Sequence, residues 1–317
     1  MQAQDHRAAR LGVRARSKGL TADDVERERI EDRSFVRTWV MRGTIHLIAT
    51  EDLPWIRDLV APPLIAQAYL RMKQEGLPRE RVDPARRHLR KLLADGPLTR
   101  AEIREGLARK GIRPRGRQGV VQLLFLMTVE GELVTGPERG GKETVVLLRD
   151  WLPKKQPRPP RDPAAELGRR YLAGYGPATL EDFRMWSSVR AGIARAGWEA
   201  ISEELVEEDG LWHLRSQRAR PIRTTSPRFL PAWDHYYLGY RERSHVGASA
   251  NVTISRGGLY DPFVVVDGRA VANWRLRKNA LEVLPFRGAT RPARKALERE
   301  VADIGRFLGT PVDLARV

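Results

Sequence analysis

The chain has 317 residues, 41% of them hydrophobic, enough to build cores for two to four domains and enough to exclude a chain disordered throughout. Lys and Arg number 57 against 40 acidic residues, a formal charge of +17, so nucleic acid leads the partner classes, because a basic face gains affinity by releasing counterions from phosphate. Cysteine is absent, which excludes disulfides, Cys-ligated zinc and thiol catalysis; with no run of about 18 apolar residues and no hydrophobic leader, a cytoplasmic, nucleoid-associated protein free of membrane is expected.

The chain opens MQAQDHRAARLGVRARSKGL, with Gln2 and Gln4 on either side of Ala3. A carboxamide both donates and accepts, so two of them can fix a water for attack without bringing charge into a site. In GLTADDVERERIEDRSFVRTWVMRGTIHLIA, Gly19 to Ala49, Thr21 suits a helix N-cap and an apolar strand pair flanks Arg42 and Gly43. This reads as a unit of helices and a two-stranded wing that lacks most of its first helix, so a natural start upstream of Met1 is expected. His46 falls on the second strand, and a hydrogen-bonded structural role competes there with support of a site; Thr44 is its candidate companion.

EDLPWIRDLVAPPLIAQAYLRMKQEG reads as a helical connector interrupted at Pro62 and Pro63. Two later stretches repeat each other: GPLTRAEIREGLARKGI from Gly96 and GPATLEDFRMWSSVRAGI from Gly176. Thr99 with Glu102, and Thr179 with Asp182, have the spacing of capping boxes. Each copy continues into a second helix and two strands. The first copy has strands at 132–135 and 144–148 around a Gly-rich turn; the second has Asp209-Gly210 as a hairpin signal. The turn GPERGGK, Gly136 to Lys142, has the core of a phosphate-binding loop, but Glu143 stands where a magnesium-holding hydroxyl belongs and a strand follows instead of a helix. A wing loop carrying Arg139 and Lys142 is the better reading.

WLPKKQPRPPRDP, Trp151 to Pro163, reads as a basic Pro-rich linker. From Pro227 the texture turns to strands, with a hairpin about Asp267-Gly268 in FVVVDGRAVANWRL, and Leu297, Val301, Ile304 and Leu308 fall on one face of a closing helix. RFLPAWDHYYLGYRERS interleaves aromatics with Asp234, Arg241 and Arg243, as either a stacking and phosphate-clamping surface or a domain core with an ion pair. The six histidines, at 6, 46, 88, 213, 235 and 245, show no metal-ligand spacing.

The expected fold class is α+β: tandem winged-helix (helix-turn-helix) units, then a small β-rich, barrel-like C-terminal domain. The boundaries are a first winged-helix unit at 1–60, a helical connector at 61–82, a second unit at 83–150, the linker at 151–162, a third unit at 163–226 and the β-rich domain at 227–317. Arg42, Arg115, Arg117, Arg139, Lys142, Arg190, Arg195, Arg241 and Arg243 are the candidates for DNA contact.

In chain order, QAQD with LGVRAR, RSFVRTWVMRGTIHLIATEDLPW, GPATLEDFRMWSSV, FLPAWDHYYLGYRERS and VVVDGRAVANWR resemble segments of the winged-helix DNA glycosylases of the AlkZ and YcaQ type, across nearly the whole chain. The resemblance implies three winged-helix units and a β-rich domain around a basic concave surface for duplex DNA. It implies hydrolysis of the N-glycosidic bond of alkylated purines, or unhooking of crosslinks, by a Gln-apolar-Gln motif that falls here on Gln2 and Gln4. No cofactor or metal is expected, and a monomer is. No convincing Schiff-base lysine accompanies the glutamines, which favours a monofunctional enzyme. The competing class is a non-catalytic winged-helix DNA-binding protein, a regulator or damage binder, followed by an RNA-binding or protein-interaction module.

Overall fold

In the computed structural model, which describes residues 1–114, 116, 118–153, 156–217, 226–247, 254–255 and 259–316, α1 (His6–Arg14) and α2 (Ala22–Arg27) lead into an antiparallel hairpin of β1 (Phe35–Trp39) and β2 (Ile45–Ala49). Helices α3 (Leu53–Gln74) and α4 (Arg79–Leu93) follow. Next come β3 (Leu98–Thr99), α5 (Arg100–Arg109), α6 (Gly119–Val129), a hairpin of β4 (Leu133–Arg139) and β5 (Lys142–Leu147), and the short α7 (Leu148–Trp151). Beyond the Pro-rich segment lie α8 (Pro163–Tyr175), α9 (Leu180–Ser187), α10 (Ala191–Glu199) and the hairpin of β6 (Leu205–Glu208) and β7 (Leu211–Leu214). The last part holds β8 (Arg228–Leu230), α11 (His235–Leu238), β9 (Ile254–Ser255), β10 (Leu259–Tyr260), β11 (Phe263–Val266), β12 (Arg269–Arg277), β13 (Ala280–Pro285), α12 (Arg294–Leu308) and β14 (Asp313–Arg316).

One local device recurs three times. At the start of α2, α5 and α9 a threonine hydroxyl accepts the backbone N–H of the third residue on, whose carboxylate accepts the threonine's own N–H. The N–H to carboxylate distances are 2.8 Å for Thr21 and Asp24, 2.8 Å for Thr99 and Glu102, and 2.9 Å for Thr179 and Asp182. Each box satisfies two donors that a helix start leaves open. Two hairpins turn through Asp-Gly with both residues at positive φ: Asp209 and Gly210 at 51° and 78°, Asp267 and Gly268 at 46° and 76°. That geometry matches the right-handed twist of the strands it joins.

The contacts divide the described chain into two compact units, one of 1–27, 168–186 and 198–317, the other of 28–167 and 187–197. In the second, α3 runs unbroken through Pro62 and Pro63, which corrects the interrupted connector. Proline inside a helix costs about 3 kcal/mol, but α3 buries Val60, Leu64 and Met72, and side chains of that size each contribute roughly 1.5–3 kcal/mol.

In the first unit five strands form one open sheet in the order β14-β13-β12-β11-β8, antiparallel except for the β13–β14 pair. The barrel-like expectation is therefore corrected to an open sheet. Closure needs every strand paired on both sides, and this ladder ends at the three-residue β8 and at β14. The closing helix buries Leu297, Val301 and Ile304 as its spacing predicts. The fourth buried apolar side chain is Phe307; Leu308 lies only half-buried.

Candidate active site

The stretch before α1 alternates its side chains. Ala3 is 1% exposed, while Gln2 is half-buried and Gln4 exposed, the pattern of an extended segment whose successive residues face opposite ways. Asp5 then caps α1, accepting the Ala8 N–H at 2.7 Å. Gln4 therefore sits one residue before a fixed helix start.

Gln2 is held through its main chain. Its N–H donates to His235 Nε2 at 2.7 Å, and His235 Nδ1 lies 2.8 Å from the Tyr175 hydroxyl. Because an amide N–H can only donate, Nε2 must carry the lone pair, which leaves the proton of the neutral ring on Nδ1, directed at Tyr175. His235 is 4% exposed and opens α11, whose cap, Asp234, accepts the Tyr236 N–H at 2.8 Å. Asp234 is itself buried and takes the Arg16 guanidinium in two bonds, 2.8 and 2.6 Å. Burial alone would lower the Arg16 pKa; the bond and charge of Asp234 outweigh it, and the net shift is upward.

Thr44, His46 and Arg42 lie in the other unit, around the β1–β2 turn. Arg42 takes a positive φ of 57° and donates its N–H to the Ser188 hydroxyl at 2.8 Å. Its guanidinium is 3.2 Å from His46 Nε2, while His46 Nδ1 is 3.0 Å from the Thr44 carbonyl. His46 is completely buried, and burial, with Arg42 adding to it, holds its pKa well below the usual imidazole range despite the bond to Thr44. A neutral ring that donates from Nδ1 and accepts at Nε2 satisfies both partners.

Among the basic candidates, Arg139 and Lys142 flank the β4–β5 turn, both exposed, with Arg139 also paired to Glu102. Arg190 and Arg195 are exposed at the start and along the length of α10. Arg241 is 69% exposed, 3.8 Å from Glu181. Arg243 is drawn inward: its guanidinium lies 4.7 Å above the Tyr237 ring and donates to the Tyr240 carbonyl and the Tyr260 hydroxyl, at 3.1 and 3.3 Å. Arg115 and Arg117 lie outside the described residues. In the aromatic segment, Phe229, Asp234 and Tyr237 are buried, so much of it is core, and the ion pair of Asp234 is with Arg16 instead of Arg241 or Arg243.

His235, Tyr175, Asp234 and Arg16 carry no signature as a group in the sequence. Their contacts with the N-terminal stretch span up to 233 residues, a distance no local spacing encodes.

The sequence matches a family model described as DNA glycosylase AlkZ-like over residues 1–307. An interstrand DNA cross-link repair glycosylase of Streptomyces sahachiroi is 30% identical, in an alignment covering 98% of this chain and 88% of that protein. Among solved structures, that of the Streptomyces sahachiroi DNA glycosylase AlkZ aligns with a TM-score of 0.83 at 28% identity, covering 100% of this chain and 91% of the other.

Proposed function

The chain belongs to the AlkZ-like DNA glycosylase family, and from that premise we propose that it hydrolyses the N-glycosidic bond of alkylated purines in duplex DNA, or unhooks crosslinks there, with Gln2 and Gln4 positioning the water. The observation that carries the reading is the alternation at the N-terminus: Ala3 buried, the two glutamines turned the other way, and a helix cap fixing the segment one residue later.

The chemistry asks little of the protein. Alkylation at a ring nitrogen makes the base a cation, so when the C1′–N bond breaks its electron pair neutralises the base as it leaves. Water oxygen bonds to C1′ and its proton passes to solvent. The carboxamides orient that water, and their carbonyl dipoles face the positive charge that develops on the sugar. His235 fixes Gln2 without competing for its side chain, because it binds the main-chain N–H.

Along with this site we read three winged-helix units, each a box-capped helix followed by a two-stranded hairpin, with the exposed Arg139, Lys142, Arg190 and Arg195 at phosphate. The protein acts as a monomer on chromosomal DNA in the cytoplasm.

The test is base release from a duplex with one N7-methylguanine. Gln4→Ala is expected to lower single-turnover release by about a hundredfold or more with duplex affinity kept. Release at the wild-type rate in both Gln4→Ala and Gln2→Ala would remove the glutamines from the mechanism, and binding with no release by the wild type would favour a damage-binding role.

A further inference from the structure

Two fixed points bracket the glutamines. Downstream, Asp5 caps α1 through the Ala8 N–H at 2.7 Å. Upstream, the Gln2 N–H donates to His235 Nε2 at 2.7 Å. A backbone carbonyl would accept that N–H at any pH, whereas an imidazole nitrogen accepts it only while it keeps its lone pair. A histidine at this place makes the upstream point conditional on one proton.

His235 is itself held from behind. Its Nδ1 lies 2.8 Å from the hydroxyl of Tyr175, the last residue of α8. The Tyr175 ring is packed by Tyr171 at 5.1 Å between centroids, by Trp186 at 5.6 Å and edge-on by Tyr240 at 5.9 Å. A Cβ on Gly239 would come 2.5 Å from that ring, so a glycine lets the end of α11 approach it. Asp234, 3% exposed, grips Arg16 beyond the far end of α1. Two consecutive residues thus hold the N-terminal segment on either side of α1.

Around the ring stand Tyr175 of α8, Asp234 with Arg16 paired to it, and the amino group of Met1, one residue before Gln2. A second proton on the imidazole would sit on Nε2 and face the Gln2 N–H, donor against donor. The Tyr175 hydroxyl accepts from Nδ1–H in either state. One proton therefore breaks the hold on Gln2 and spares the hold on α8.

Resting on the assignment of Gln2 and Gln4 to the attacking water, we propose that His235 is a positioning residue for base release and that its protonation switches the site off by freeing the Gln2 main chain. It acts through that main chain, not on the water.

The experiment has two arms. In the first, isotopic nitrogen labelling of the histidines, with His235→Gln to assign the signal, follows the ring through an acid titration. A bare Nε2 and a protonated Nδ1 are expected in the neutral ring; a neutral ring protonated on Nε2 would overturn the proposal, with no turnover needed. In the second, single-turnover release from an N7-methylguanine duplex is followed from about pH 8 to about pH 5, the span of an imidazole, with spontaneous base loss subtracted. Wild-type release is expected to fall along a one-proton limb that matches the ring titration. The carboxamide of His235→Gln can still accept from Gln2 and donate to Tyr175. That variant should keep the urea midpoint, stay within about threefold of wild-type release at neutral pH and lose the limb. His235→Leu, with no acceptor, should lower release about ten- to hundredfold at neutral pH, the scale of a misplaced group, with duplex affinity kept. An α-amino group ordinarily titrates at about pH 8, and that of Met1 remains in both variants. A limb that survives His235→Gln, or wild-type release by His235→Leu, would overturn the proposal. Wild-type release by both Gln2→Ala and Gln4→Ala, with the ring spectrum as expected, would instead strike the glutamine assignment, and no release by the wild type would sink both.

Discussion

A histidine sealed from water reports on the pH of its surroundings through stability. His46 is completely buried and its pKa is pushed well below the usual range, by burial first, with Arg42 adding to it. Above about pH 6.5, the ordinary imidazole value, the ring is neutral both folded and unfolded. Below it the unfolded chain takes up a proton that the folded chain refuses, so stability falls as the pH drops from about 6.5 toward the depressed folded value. Urea midpoints between pH 7.5 and 5.5 should decline for the wild type and decline less steeply for His46→Gln. Identical slopes would mean that the folded protein accommodates the charged ring. At this scale Gln2 and Gln4 stand out in the sequence because they are two residues apart. Their support does not: His235, itself bonded to Tyr175, becomes a neighbour of Gln2 only when the C-terminal part of the chain folds back.

Elements whose determinants are local are legible in the sequence. The cap at Thr21, the Thr-x-x-acid boxes at Thr99 and Thr179 and the Asp-Gly turns depend on residues within four positions of each other, and each occurs as its spacing predicts; that Asp24 completes a box with Thr21 is added by the structure. Helix α3 is not legible in the same way, because local proline chemistry is outweighed by burial of its apolar residues. Burial also places the most consequential charge of α1. Arg14, 1% exposed, donates to Glu300 at 3.0 Å and Asp303 at 3.1 Å on α12, and to the Phe229 carbonyl at 3.3 Å within β8. Removing Arg14 takes a donor from the buried Phe229 carbonyl and one partner from each carboxylate, while Glu300 keeps Arg228 at 3.0 Å and Asp303 keeps Arg306 at 2.7 Å, so Arg14→Ala is expected to cost about 2 kcal/mol. Chemical denaturation measures it; a destabilisation below about 0.5 kcal/mol, the scale of an exposed ion pair, would show that the cluster holds nothing together.

For the molecule as a whole, the charge of +17 should appear as salt dependence. If Arg190 and Arg195 neutralise phosphates, replacing both with serine is expected to weaken duplex binding evenly across sequences and to flatten the plot of log affinity against log salt by about 1.8, roughly 0.9 for each phosphate no longer neutralised. An unchanged slope would place both on solvated surface. The basic balance, the box-capped helices, the Asp-Gly hairpins and the paired glutamines are set by composition and by neighbours along the chain, so the sequence alone determined them. Whether the last strands close was decided by tertiary structure, since strand pairing is non-local and the ladder ends at β8 and β14. So was the identity of the groups that hold Gln2, because the hydrogen bond from its N–H to His235 exists only after distant segments pack. Side chains can be read from a sequence; the surfaces they make together depend on which faces are buried against which.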